Sequence, residues 1–112
     1  MIDMNTYQQS ARKFAVYPEH YEIVYPTLGL SGEAGEVAEK VKKLLRKNTL
    51  MPMGIDSYTR KEIAKELGDV LWYLANLATD LGYDLSDIAE MNLFKLTDRQ
   101  HRNVIQGEGD NR

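Results

Sequence analysis

The chain has 112 residues, 43% of them hydrophobic and 28% charged, with a formal net charge of -3 and no cysteine. A single domain of this length buries only a small core, so association with further copies is expected. Disulfides, thiolate metal sites and cysteine nucleophiles are excluded, and the acidic balance argues against a general binder of nucleic-acid polymers, which carries a basic stripe.

Met1 to Phe14 is polar and lacks the apolar run of a signal peptide, and no apolar stretch approaches the length of a membrane span, so a cytoplasmic protein is expected. Asn5 or Thr6 can cap a first helix over about residues 6 to 16, with Gln8 or Gln9 placed for a capping box; Pro18 breaks it. Pro26 suits the first turn of a second helix, about 26 to 47, which ends in a basic turn of Lys42, Lys43, Arg46 and Lys47. Asn48 to Ser57, with Pro52 and Gly54, reads as a loop. Asp56 or Ser57 caps a third helix that runs to about Leu81 and is stopped by Gly82. Asp84, Leu85, Ser86 and Asp87 start a fourth helix to about residue 102, and 103–112 reads as a polar tail. No alternating pattern supports a strand. The expectation is a single all-α domain over 1–112, a four-helix bundle completed by oligomerisation.

Two pairs of acids carry the chemistry. Glu33 and Glu36 lie in the second helix, Glu66 and Asp69 in the third, and each pair is spaced to point from one helix face. One such pair alone usually forms a solvated face or pairs with lysine. Two pairs on packed helices bring four carboxylates together, which is costly unless a cation neutralises them or some take up protons. A hard divalent metal with oxygen ligands suits such a set, and Mg²⁺ most often works on phosphates. The third helix also has two stripes. Ile63, Leu67, Val70, Leu74, Leu77 and Leu81 are apolar; Glu62, Glu66, Asp69, Tyr73, Asn76 and Asp80 are polar and lie roughly 120° away at 100° per residue. The acids therefore border the core and can look into a cleft. Gly29, Gly32 and Gly35 sit in the second helix among the acids. A helical glycine costs about 1 kcal/mol relative to alanine, so either the helix frays there or another helix or a ligand comes close.

Gly32-Glu33-Ala34-Gly35-Glu36-Val37-Ala38-Glu39, followed by Lys65-Glu66-Leu67-Gly68-Asp69-Val70-Leu71, resembles the signature of the MazG-like all-α nucleoside triphosphate pyrophosphohydrolases. The resemblance covers about residues 25 to 100. It implies an α-helical fold and a homodimer or homotetramer. It also implies Mg²⁺, with Mn²⁺ as a substitute, held by Glu33, Glu36, Glu66 and Asp69. The implied reaction is hydrolysis of the α–β phosphoanhydride of nucleoside triphosphates, giving monophosphate and pyrophosphate. The family's doubled acid at the start of the first motif is absent, since Gly32 stands there. Glu39 could substitute, but a surface acid pairing with Lys42 or Lys43 is the favoured reading.

In the fourth helix Asn92, Lys95 and Arg99 share one face and resemble the family's phosphate contacts; a solvated basic face is the alternative. Tyr73 resembles the position that stacks on the base, against a partly buried core tyrosine. Asn76 follows on the same stripe and could read a base edge. Trp72 points off it, toward an interface. His20 stands among Tyr17, Tyr21 and Tyr25 and could border a base pocket, while His101 is alone. The expected function is sanitation of the nucleotide pool, on deoxynucleoside triphosphates or non-standard nucleotides. A phosphoribosyl-ATP pyrophosphohydrolase of the same superfamily and a non-catalytic metal-binding helical oligomer are the rivals.

Overall fold

The structure, a computed structural model, describes residues 1–47 and 54–112 and contains four helices in chain order: α1 (Met4–Arg12), α2 (Val24–Arg46), α3 (Ser57–Asp80) and α4 (Leu85–His101). No strand occurs among the described residues, and the chain is all-α. The first part of the expected loop, 48–53, lies outside the described residues.

The ends of the helices follow from short-range donors and acceptors. Asp56 caps α3 by accepting from the Thr59 N–H at 2.7 Å, and Gly82 ends it in the left-handed region at φ 82°, where glycine carries no Cβ penalty. Asp84 and Asp87 form a capping box at the start of α4, the Asp87 carboxylate accepting from the Asp84 N–H at 3.1 Å. α1 differs from expectation at both ends. Its cap is Asp3, which accepts from the Thr6 N–H at 2.8 Å, and it stops at Arg12 rather than near 16. Beyond Arg12 the exposed Phe14 and Val16 offer no face to bury, and the chain turns to bring Tyr17 to α3. α2 has no side-chain cap. Pro26, in its first turn and buried, removes one N–H that would have lacked an intrahelical partner.

Packing centres on α3. α2 lies along it, and α1 lies against its C-terminal half and against α4; among the described residues α2 touches no helix but α3. The core is thin: Ala11, Ala75, Ala78 and Leu85, with Tyr7, Trp72, Leu74 and Ile88 against them. Gln8 ties its layers together. Its amide nitrogen donates to the Tyr83 carbonyl at 2.9 Å and the Thr79 hydroxyl at 3.0 Å, while its oxygen accepts from the Leu85 N–H at 2.8 Å. Gln8 is therefore a buried tie between α1 and the α3–α4 turn rather than a capping-box residue.

The subunit is open. Its radius of gyration is 17.0 Å, against about 13 Å for a compact chain of this length. Its surface of 8616 Å² exceeds the roughly 6,300 Å² of a monomer of this mass. Leu67 and Leu81 of the apolar stripe remain 53% and 50% exposed. The C-terminal part of the polar stripe instead turns inward: Asn76 is 1% exposed.

Candidate active site

Glu33 on α2 and Glu66 and Asp69 on α3 each place a carboxylate oxygen within 4.8 Å of the others. Glu33 and Glu66 are half-buried and Asp69 is exposed. The i, i+3 spacing on α3 and the lengthwise α2–α3 contact produce this convergence. Glu36 is exposed and lies outside the group of three, yet its charge reaches it. Burial first, and then the charges of Asp69, Glu66 and Glu36, push the Glu33 carboxyl above its ordinary range. Among the described residues the cation in contact is Lys40, whose Nζ lies 3.4 Å from Glu66. Three carboxylates facing one ammonium leave an excess of negative charge and a purely oxygen donor set, which fits a hard divalent cation. Glu39 pairs with Lys42 at 2.7 Å on the surface.

The glycines divide. Tyr73 packs its ring where a Cβ of Gly29 would stand, whereas Gly32 and Gly35 face open space. Close approach is thus filled at Gly29 by the protein itself, and the flank of the acid cluster is left accessible.

Tyr73, one turn beyond Asp69, stands within a row of aromatics. Tyr25 lies 6.4 Å from it, Tyr17 stacks on Tyr25 at 5.2 Å, and Trp72 meets Tyr73 edge-on at 5.0 Å. Burial chiefly, then Tyr25 and the Glu33 charge, raises the Tyr73 hydroxyl above its ordinary range. Trp72 also packs on the alanine core within the subunit. Asn76 is enclosed: its amide nitrogen donates to the Trp72 carbonyl at 3.0 Å and its oxygen accepts from Arg12 at 3.4 Å. His20 is exposed, in a left-handed conformation with φ 72°.

Behind the aromatics lies Asp80, with its side chain 1% exposed. It accepts from the Tyr17 hydroxyl at 2.8 Å and the Ile23 N–H at 2.9 Å and meets Arg12 at 2.7 Å. Burial pushes its carboxyl up, but those donors outweigh burial and hold it below the ordinary range. Sequence reasoning placed Asp80 on the polar stripe and saw the tyrosines, but missed that Asp80, Arg12 and Tyr17 form one unit. The signal available was an acid at the end of the stripe and the tyrosines at four-residue spacing.

Asn92, Lys95 and Arg99 lie on α4, which makes no helix contact with α2 among the described residues. Asn92 is exposed, Lys95 half-buried and Arg99 5% exposed. A groove of about 330 Å³ opens beside Asn92 and Lys95, bordered by Ile88, Met91 and Asp110. The segment 103–112 folds back here, and Asp110 pairs with Lys95 at 2.7 Å and Arg99 at 3.0 Å.

A family described as "MazG nucleotide pyrophosphohydrolase domain" matches residues 26–104. The "Gene 37 protein" of Mycobacterium phage L5 is 44% identical over 117 residues, covering 99% of this chain and 100% of the phage protein, though its name states no activity. No solved structure matches. No helix of the described residues is long and apolar enough to cross a membrane. The matched span takes in both acid pairs and most of the helical structure, and the chain belongs to the MazG nucleotide pyrophosphohydrolase family.

Proposed function

We propose that the chain hydrolyses nucleoside triphosphates, deoxynucleoside or non-standard ones foremost, to monophosphate and pyrophosphate, and so clears the cytoplasmic nucleotide pool. The observation that carries this reading is the convergence of Glu33, Glu66 and Asp69 within 4.8 Å, in a chain of the MazG family. These three acids, with Glu36 from the next turn, hold Mg²⁺ or Mn²⁺. Bound there, such an ion would supply the positive charge that offsets the polyphosphate. A carboxylate oxygen of the cluster takes the proton of the water that attacks the α-phosphorus, and the α–β anhydride bond breaks.

The base stacks on the aromatic row at Tyr73, where ring faces give affinity with little selectivity. Asn76 is enclosed, so it acts on the base pocket by holding Trp72 and Arg12 in place rather than by touching the base. Asn92, Lys95 and Arg99 take the phosphates, Arg99 with its fork of donors. The open subunit pairs with further copies through apolar faces of α2 and α3, where Leu67 and Leu81 stand exposed. The excess surface described above is of the size that a stable dimer buries per partner.

Pyrophosphate release from a panel of nucleotides, with Mg²⁺ and in excess chelator, tests the reading. Monophosphate and pyrophosphate appear in metal and nothing in chelator. Turnover in chelator, or diphosphate with orthophosphate as products, would refute it. Preferential turnover of phosphoribosyl-ATP would assign the chain to that branch, and no turnover with retained metal binding would make it a non-catalytic metal-binding oligomer.

A further inference from the structure

We infer that segment 103–112 is an anion-mimicking strap: Asp110 occupies the cationic seat of Lys95 and Arg99, and a substrate phosphate must displace it to bind. This rests on the reading that those two residues take phosphates. The carboxylate meets both cations, at 2.7 Å from Lys95 Nζ and 3.0 Å from Arg99 Nη2, and Arg99 also donates to the Asp110 backbone carbonyl. A negative group held between a lysine and an arginine fork is the arrangement a phosphate oxygen would take up. Asp110 also borders the groove of about 330 Å³ that runs past Asn92 and Lys95, so the seat opens onto a space large enough to admit a ligand.

The segment has its own scaffold. Arg112 donates to the carbonyls of Val104 at 2.8 Å and Ile105 at 2.7 Å, and Arg102 donates to the Arg112 carbonyl at 2.6 Å. These bonds fold 103–112 on itself, so Asp110 arrives as part of a formed loop. Its hold on α4 is weaker. Asp110 is 75% exposed on the side-chain measure, while Arg99 is 6% exposed. An ion pair whose carboxylate stands in solvent is screened on that side and yields to a more highly charged competitor. A buried guanidinium left without an anion is unfavourable, so Asp110 also keeps Arg99 paired while no substrate is present. The consequence is a tax on apparent affinity: substrate binds the fraction of molecules in which the seat is vacated.

The test is Asp110→Asn, which removes the charge and keeps the shape, beside Asp110→Glu, which keeps the charge. Two quantities are read: KM and kcat for the nucleotide, and the affinity for inorganic pyrophosphate with Mg²⁺ by calorimetry. Asp110→Asn lowers KM and tightens pyrophosphate about two- to fivefold, the scale of exposed ion pairs converted to binding, with kcat unchanged. Asp110→Glu stays close to wild type. Combining Lys95→Ala with Asp110→Asn shrinks the gain, because part of the seat is gone. A loop with only a structural role would lower the melting temperature of Asp110→Asn and leave both affinities unchanged or weaker, and that result overturns the strap. If wild type hydrolyses nucleotides and Asp110→Asn changes neither KM nor pyrophosphate affinity, the strap falls and the enzymatic reading stands. If no nucleotide is hydrolysed but Asp110→Asn binds pyrophosphate more tightly, the enzymatic reading falls and the strap stands.

Discussion

Asp69 and Asp80 stand on the same polar stripe of α3, about three turns apart, and the protein treats them in opposite ways. Asp80 is enclosed and receives the Tyr17 hydroxyl, the Ile23 N–H and the Arg12 guanidinium. Asp69 is exposed, and its neighbours in the cluster are two more carboxylates. One acid takes two hydrogen bonds and an ion pair from two segments of the chain, the 17–23 connection and α1, and pins both to α3. The other is left in a field of like charge, with Lys40 beside the cluster as its counterweight. A carboxylate that the fold satisfies is scaffold. One that the fold leaves under-neutralised is poised for a ligand from outside.

The largest expected effect breaks the open end. Asp69→Asn lowers kcat/KM by more than about a hundredfold, since even outer-shell partners of a metal cost up to that much. Metal-free stability stays level or rises, because mutual repulsion is relieved. The melting-temperature gain on adding Mg²⁺ shrinks, since binding to the native state supplies it. Pyrophosphate assays and melts with and without Mg²⁺ on the same variant measure all three. Near wild-type turnover with a full Mg²⁺ shift would remove Asp69 from the ligand set.

Asp80→Asn is the mirror experiment. It leaves Arg12 without its buried partner and loses roughly 2–3 kcal/mol of stability in chemical denaturation, less than a fully buried pair because Arg12 is partly solvated. The Mg²⁺-induced shift persists, while KM rises as Tyr17 and Tyr25 loosen beside Tyr73. A variant that keeps its stability and loses its metal response would invert the comparison.

The convergence of Glu33, Glu66 and Asp69, the four helices of the described residues, the stop at Gly82 and the start at Asp84 were legible because spacing and caps are local. So was the surface pairing of Glu39 with Lys42. What was not legible depended on distant partners. Nothing near Gln8 announces Tyr83 and Leu85, and nothing near Asp80 announces Arg12. The two stripes of α3 show the same limit. Hydrophobic spacing marks a face that avoids water, but not whose surface covers it. Leu67 and Leu81 therefore remain exposed in the subunit while Asn76 and Asp80 are enclosed. Asp110 illustrates it again, since a residue of an apparent polar tail proves to be the partner of Lys95 and Arg99.

The glycines of α2 sharpen the comparison at smaller scale. Gly29→Ala puts a methyl group where the Tyr73 ring lies and destabilises by about 1–3 kcal/mol through overpacking, with KM raised as the ring is displaced. Gly32→Ala faces open space and gains up to about 1 kcal/mol of helix propensity. Denaturation of the two variants side by side checks the sign. A destabilised Gly32→Ala would mean that another copy or a ligand presses on that turn.

The pH dependence of the metal-free protein has opposite sign at the two ends. The Glu33 carboxyl is raised above its ordinary 4.5 by burial and by its acidic neighbours. Between 4.5 and that raised value the folded chain holds a proton that the unfolded chain has lost, so stability falls as pH rises through the window and stays lowered above it. The Asp80 carboxyl is depressed below its ordinary 3.8, burial being outweighed by the Ile23 N–H, Tyr17 and Arg12. Its contribution is present above 3.8 and is lost as pH falls through the depressed value. Denaturation of wild type, Glu33→Gln and Asp80→Asn in chelator, across about pH 3 to 7, separates the two. The advantage of wild type over Asp80→Asn closes as the solution becomes strongly acid. The disadvantage of wild type against Glu33→Gln opens as pH rises from the mid-fours. Added Mg²⁺ removes that second disadvantage at neutral pH, because an ion that needs the ionised carboxylates offsets their repulsion. Parallel curves for the two variants would mean that the acid cluster is as well neutralised by the fold as Asp80 is, and the distinction between scaffold and site would not hold.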